Sequence, residues 1–490
     1  MSTAWVYVAP AFIGLPLALL FALNLLPRRA AEETAVPIGY LAAALQMVFT
    51  VVCVQLLYSF GKDFIDFSLF WDMNAATGSS FFSVDFFSLV VLFCIGLVAF
   101  AALAVIPGGA SAHNVNFVSM MLLLMLGMNG IAVATDLFTL YIFLEITGIC
   151  SFVMIAMKKD QRGLEGAFKY LVISAVATAL LLSAFALIFM QTGSLNFDDV
   201  AVAMTNWQQA DEPRLLMLAF ILLLAGFCIK SGVVPFHLWV PDAYQSAPAA
   251  VSVLLGGIVT KAAGVYAMGR VMRDILPVVT ELRLPLLVLG VISILLGAIA
   301  AVTQQDFKRV LAYSSISQIG YIMLGISCGS AIGYVGAILH FFNHAVFKST
   351  LFVNAAALEM QVGTTDMDKL GGLQKQMPVT GISSVLAFLS TAGIPPLSGF
   401  WSKLLIIMAA WLAGQQIVAG IALFAGIFTA AYFLRLQKKV FFGEVPEQLQ
   451  QVEEAGRSVV CVSVLLSAIT VGLGVAFPWL LLYLQGLGVL

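Results

Sequence analysis

The sequence predicts an all-α polytopic membrane protein with about 14 transmembrane helices. Three observations carry that reading. Of 490 residues, 61% are hydrophobic and 10% charged, with a mean hydropathy of +1.04, whereas soluble domains carry roughly 25% charged residues. Apolar stretches near the ~20 residues that cross a bilayer recur along the whole chain. The basic residues between them divide unevenly between the two sides that alternation would create.

In chain order the spans are expected at 4–26, 36–58, 82–106, 114–134, 136–157, 164–190, 215–245, 248–271, 282–303, 310–328, 331–360, 378–412, 417–440 and 458–484, the seventh and twelfth broken. The first has no basic residue before it and meets its first charge at Arg28, so it lacks the n-region of a cleavable signal peptide and reads as retained. Alternation puts Arg28, Arg29, Lys158, Lys159, Arg162, Lys308, Arg309, Lys369, Lys375, Arg435, Lys438, Lys439 and Arg457 on one side. Lys62, Arg214, Arg270, Arg273 and Arg283 fall on the other. Thirteen against five places the first group in the cytoplasm and both termini outside. The stretch GSLNFDDVAVAMTNWQQADEP, 193–213, reads as an exposed loop or short surface helix, and the acidic tail of 441–457 as a solvated face.

Five basic residues remain, Lys169, Lys230, Lys261, Lys348 and Lys403, all within hydrophobic segments and all lysine. That selection is informative: arginine stays charged in a protein, whereas a buried lysine can release its proton. Lys169 lies four residues after Glu165, which fits a local interfacial ion pair as well as a functional one. Lys348 fits a snorkelling side chain or a carbonyl donor as well as a site residue. Lys230, Lys261 and Lys403 sit deeper, where a charged lysine costs around 2.5 to 3.5 kcal/mol and is functional by default.

Two spans are interrupted beside these lysines. Gly232 and Pro235 break IKSGVVPFHLW, and Gly393, Pro395, Pro396 and Gly399 break STAGIPPLSGFWSKLL. The backbone groups so freed must line a cavity or meet protein partners. Breaks at matching places in two halves mark an inverted-repeat transporter with its site near the midplane; the plain alternative is a structural kink. Glu145, nine residues into its span from Asp136, is the deepest carboxylate and the expected counterion. Opposite charges about 4 Å apart attract by about 4 kcal/mol at an effective dielectric near 20. Desolvation opposes this by a similar amount, so the approach or withdrawal of Glu145 would decide the charge on Lys230. His237 follows the first break, and His340 and His344 share one helix face. The pair suits a proton relay between Lys261 and Lys403 better than a metal site, since no third ligand pattern accompanies it. His113 lies in a loop.

Other chemistry is excluded. Cys53, Cys94, Cys150, Cys228, Cys328 and Cys461 stand singly, without a disulfide framework or cluster motif. There is no P-loop or dinucleotide fingerprint, and a net charge of -2 implies no nucleic-acid partner. No cofactor is expected, and the energy would come from an ion gradient or a partner subunit.

FCIKSGVVPFHLWVPDAYQSAPAAVSVLLGGIVTKAAGVYAMGR, QQDFKRVLAYSSISQIGYIMLGI, LHFFNHAVFKSTLF and GIPPLSGFWSKLLI resemble the antiporter-like subunits shared by respiratory complex I, Mrp-type Na+/H+ antiporters and membrane-bound hydrogenases. The resemblance covers roughly 80–445. It implies two inverted five-helix repeats, at 114–271 and within 272–440, after three N-terminal spans in 1–113 and before a loop and last span in 441–490. It also implies that Glu145, Lys230, Lys261 and Lys403 form the charged membrane axis, with His237, His340, His344 and Lys348 as relay or gating positions. Lysine at 403, where some members have glutamate, resembles the Mrp and hydrogenase types and some complex I types. The chain ends soon after its last span, unlike relatives with a lateral helix, which argues against the distal position in complex I. The implied partners are other membrane subunits, homologous ones included, with protons as cargo and sodium left open, in a bacterial or archaeal cell membrane. Three readings result: an ion-translocating subunit of a redox-driven complex, a subunit of a stand-alone Mrp-type antiporter, or a structural subunit that binds quinone or lipid. The cost of burying the Glu145, Lys230, Lys261 and Lys403 set disfavours the third.

Overall fold

A computed structural model describes residues 8–60, 64–67, 81–106, 109–209, 212–277 and 279–486. Lys62 and both chain ends lie outside the described residues. The chain is nearly all helical: α1 Val8–Leu25, α2 Arg28–Phe60, α3 Phe86–Ala104, α4 Ala112–Val133, α5 Leu137–Ala156, α6 Gln161–Thr192, α7 Phe197–Met204, α8 Pro213–Ser231, α9 Trp239–Ser246, α10 Ala249–Ile275, α11 Arg283–Thr303, α12 Phe307–Ser327, α13 Ala331–Val362, α14 Pro378–Ala392, α15 Ser398–Leu412, α16 Gln416–Val440 and α17 Arg457–Gly486. Among the described residues, twelve helices are long and apolar enough to cross a membrane. The 32-residue α13, made polar by His340, Asn343, His344, Lys348 and Asn354, and the α14–α15 pair complete the expected fourteen spans. One departure from the all-α expectation is a small antiparallel hairpin, Phe64–Phe67 with Phe82–Asp85. Its second strand, FSVD, alternates apolar and polar residues as a strand does.

Helix bounds run past the apolar stretches where local chemistry extends them. Arg28 and Arg29 pair with Glu32 and Glu33 at i,i+4, carrying α2 beyond its apolar core. The short α7 in 193–213 buries Phe197, Val200 and Met204 and leaves Val202 exposed, so it is a surface helix with one packed face.

The loops sort by charge onto two ends of the bundle. At the basic end Lys439 pairs with Asp368, Arg435 donates to the carbonyls of Val302 and Gln304, and Lys308 pairs with Glu359. At the other end Arg273 reaches Asp85 at 2.6 Å, and Arg270 donates to the carbonyl of Ala132 at 2.8 Å. Two basic residues counted as loop charges are not in loops: Arg270 is buried within α10 and Lys308 within the first turn of α12.

An internal repeat is visible in the backbone. Leu137 N donates to Leu195 O and Phe197 N to Thr135 O, and at a constant offset Phe307 N donates to Thr365 O and Met367 N to Gln305 O. Asp136 and Asp306 each cap the helix that follows, accepting from Thr139 N and Arg309 N. The 32-residue helices α6 and α13 both end at a left-handed glycine, Gly193 and Gly363. The first motif lies at the sparse end and the second at the basic end, so the halves are inverted.

The centre of the bundle is α10, buried along its hydrophobic length, with α12 beside it. The outer helices face lipid with Val172 and Val176 on α6, Leu423, Phe424 and Ile427 on α16, and Leu482 on α17. Close approach at the centre requires small residues: a Cβ on Gly264 of α10 would collide with the backbone of Ser231, at the end of α8. Gly264→Leu is therefore expected to destabilise the fold by about 1–3 kcal/mol, the usual cost of overpacking. Gly472→Leu, at a site with nothing within 4 Å, should leave stability unchanged. Thermal unfolding in detergent would measure both, and equal behaviour would contradict this packing.

Candidate functional site

Each break ends its half-helix in the same way. Gly232, at φ 66°, donates to Ile229 O, and Val233 N donates to Cys228 O. Gly393, at φ 87°, donates to Ser390 O, and Ile394 N donates to Leu389 O. Glycine suits both positions because a Cβ disfavours the left-handed region. Pro235 and Pro396 each follow a cis peptide bond. Trp239 Nε1 reaches back to Ile229 O across the first break, and Ser390 Oγ accepts from Gly399 N across the second.

A lysine accompanies the carbonyl-rich end of each first half-helix, as the helix dipole favours. Lys230 lies in the last turn of α8, with Nζ 3.1 Å from Glu145 Oε1 and 2.9 Å from Ser174 Oγ. Thr178 donates to the same carboxylate oxygen at 2.5 Å. Lys403, on α15, reaches back to Thr391 O at 2.7 Å and lies 4.4 Å above the Tyr321 ring.

Between them α10 contains π-helical turns at Leu255–Val259 and Lys261–Tyr266. Such turns loosen the main-chain ladder. Lys261 Nζ donates to Gly256 O at 2.6 Å and lies 3.3 Å from Tyr244 Oη. Lys348 donates to Leu311 O at 3.0 Å. His344 lies within electrostatic reach of Lys261, Lys348 and His340. His340 Nδ1 is 3.0 Å from Ser402 Oγ, one residue before Lys403. The structure thus brings Lys261, His344, Lys348, His340 and Lys403 into one buried polar row and pairs the buried Lys230 with the partly exposed Glu145 beside α10. Ser231 Oγ, His340 Nε2, both ring nitrogens of His344, Ser349 Oγ and both side-chain polar atoms of Gln318 are buried without a protein partner. Native proteins rarely leave such atoms unpaired, so their concentration along the row sets it apart from an ordinary packed core.

Three of the residues that the sequence singles out stand apart from these groups. His237 lies half-buried in the first break, its ring 6.2 Å from that of Tyr313. Glu165 and Lys169 pair at 2.7 Å at the basic end, and Lys169 also holds Asp242 of α9 at 2.7 Å. Sequence reasoning missed Ser174, Thr178, Tyr244 and Tyr321. Ser174 and Thr178 had a signal, two polar groups at i,i+4 in an apolar span; the tyrosines had none. Among the described residues no three His, Cys, Asp or Glu side chains converge to hold a metal ion.

A broken-helix inverted repeat with an internal row of lysines defines an antiporter-like membrane subunit. Residues 134–429 match the family described as NADH:quinone oxidoreductase/Mrp antiporter, TM. The chain is 35% identical to a Na(+)/H(+) antiporter subunit of Alkalihalophilus pseudofirmus, over 72% of this chain and 71% of that protein. It is 33% identical to an NADH-quinone oxidoreductase subunit of Desulforudis audaxviator, over 72% and 71%. Its fold superposes with a TM-score of 0.87 on a chain of the Mrp complex from Dietzia sp. DQ12-45-1b, at 24% identity, covering 100% of this chain and 97% of that one. The protein belongs to the NADH:quinone oxidoreductase/Mrp antiporter membrane family.

Lys261 tests whether the row serves stability. It is fully buried with no carboxylate partner, so replacing it with an apolar side chain removes a desolvation cost. Lys261→Met is expected to assemble normally and unfold at an unchanged or higher temperature; a clear loss of thermal stability would assign the lysine a structural role.

Proposed function

We propose that this chain is the proton-pumping, antiporter-like membrane subunit of a redox-driven complex, such as a membrane-bound hydrogenase or an NADH:quinone oxidoreductase. The observation that carries this reading is the set of buried lysines and histidines from Lys230, paired with Glu145, through Lys261, His344, Lys348 and His340 to Lys403. Its ammonium groups are held largely by main-chain carbonyls, which accept a hydrogen bond without fixing the charge. The subunit would sit in a bacterial or archaeal cell membrane beside other membrane subunits, homologous antiporter-like chains among them. The unequal loop charge supports a cytoplasmic basic end and outward termini.

In this mechanism a proton arrives from the cytoplasmic end in the region of Lys230 and Lys261. It passes by way of His344 and His340 to Lys403 and leaves to the outside. While Glu145 stays within hydrogen-bond distance it holds Lys230 charged; its withdrawal removes the attraction and lets desolvation expel the proton. The driving redox chemistry belongs to a partner, because the chain has no motif for it. The likeness to the Na(+)/H(+) antiporter subunit of Alkalihalophilus pseudofirmus favours one second reading, a subunit of a stand-alone Na+/H+ antiporter. Purifying the native complex and identifying its other subunits decides between the two: iron–sulfur or nickel–iron proteins support the first, and their absence the second.

Lys230→Ala and Lys403→Ala are each expected to abolish proton translocation in vesicles that contain the whole complex, while the complex still assembles. Wild-type pumping in either variant would refute the relay.

A further inference from the structure

A second lysine–glutamate pair repeats the burial of the first. Lys230 and Glu145 have side chains 2% and 31% exposed, and Lys308 and Glu359 have side chains 2% and 30% exposed. Lys308 Nζ meets Glu359 Oε2 at 2.5 Å where α12 begins and α13 ends. Glu359 faces a cavity of about 540 Å³ at the basic end, between the two halves, lined by charged and polar side chains such as Lys158, Asp160, Asp242 and Asp306. Ser246 Oγ, also on that cavity, is buried and has no protein partner.

Behind Lys308 the polar groups continue inward along two branches. Its Nζ lies 3.5 Å from Ala247 O, which also accepts from Ser252 Oγ. Ser252 donates to Tyr244 O at 2.9 Å, and the hydroxyl of Tyr244 lies 3.3 Å from Lys261 Nζ. On the other branch, Leu311, one turn after Lys308, gives its carbonyl to Lys348. The buried partner of the pair thus faces the row across Ser252, Tyr244 and the Leu311 turn, and the 30%-exposed partner faces the cavity.

We propose that Lys308 and Glu359 form the intake gate through which protons pass from the cytoplasmic cavity to Lys261 and Lys348. This deepens the proposed function and rests on it. Solvent protonates the Glu359 carboxylate, which ends its attraction for the Lys308 ammonium. Lys308 then gives a proton to a neutral amine of the row, and the neutral Lys308 takes the proton from Glu359. Carboxylate and ammonium are restored, and one proton has moved inward. A structural staple would need the opposite charges alone; the gate also needs the carboxylate on the cavity side and the amine on the row side.

That difference supplies the test. Proton translocation is measured in vesicles containing the whole complex with Glu359→Gln, Glu359→Asp and the charge-swapped double variant Lys308→Glu/Glu359→Lys, with Lys230→Ala as reference. Assembly is checked on native gels. Glu359→Gln is expected to lower translocation by roughly 10²-fold, the lower end of what a positioned proton donor contributes. Glu359→Asp should retain part of it, and the charge swap should assemble yet stay impaired. If Glu359→Gln fails to assemble, the charge swap decides: wild-type translocation there overturns the gate, and impaired translocation in an assembled complex supports it. Wild-type translocation in Glu359→Gln overturns the gate while a dead Lys230→Ala leaves the relay standing. Wild-type rates in Lys230→Ala would sink the relay itself.

Discussion

An ammonium group in the middle of a bilayer needs hydrogen-bond acceptors, and the rest of this structure follows from how they are supplied. A carboxylate partner would neutralise the charge but also hold it. Among the buried lysines of the site Lys230 has such a partner, in Glu145. Lys261, Lys348 and Lys403 donate instead to the carbonyls of Gly256, Leu311 and Thr391. A carbonyl satisfies the donor without opposing its deprotonation by a full charge, which suits a group meant to change state.

In a regular helix each carbonyl already accepts from the amide four residues on, so a side chain reaches only its second lone pair, as Lys348 does at Leu311. For Lys403 and Lys261 the fold supplies less committed carbonyls in two ways. The breaks after Ser231 and Ala392 end a helix inside the bundle, leaving carbonyls such as that of Thr391 within reach of a side chain from beyond the break. The π-turns of α10 loosen the ladder beside Lys261. The π-turns lie within the buried α10, and at each break the chain's own groups, Trp239 Nε1 and Ser390 Oγ, take up freed backbone groups. The inverted repeat builds two breaks from one design, and the row runs between them.

The two ends of the bundle are tied by ion pairs of different character. At the sparse end Asp85, Asp274, Arg270 and Arg273 interlock, fixing α3 to α10. At the basic end, Arg309 with Asp242 joins the halves around an open cavity, and Lys158 approaches Glu359 from the other half. One end is closed by packed guanidinium groups and the other is hydrated, an asymmetry that suits passage of an ion from the basic end inward.

Much of this was legible in the residue order. Hydrocarbon thickness sets span length, and the absence of water forbids unsatisfied backbone, so composition and periodicity determined the membrane class and placed both breaks through Gly232, Pro235, Gly393 and Pro396. The rarity of charge at depth picked out Glu145, Lys230, Lys261, Lys348 and Lys403 individually. The scarcity of deep carboxylates also pointed to the Glu145–Lys230 pair, formed across 85 residues. How Lys261, His344, Lys348, His340 and Lys403 line up was decided by the tertiary structure, because residues on different helices share no local pattern. For the same reason Lys308 read as a loop charge: it stands at a helix start, and its partners, Ala247 after α9 and Glu359 on α13, come from distant parts of the chain. The π-turns of α10 were equally hidden, since no residue of that segment marks them in advance.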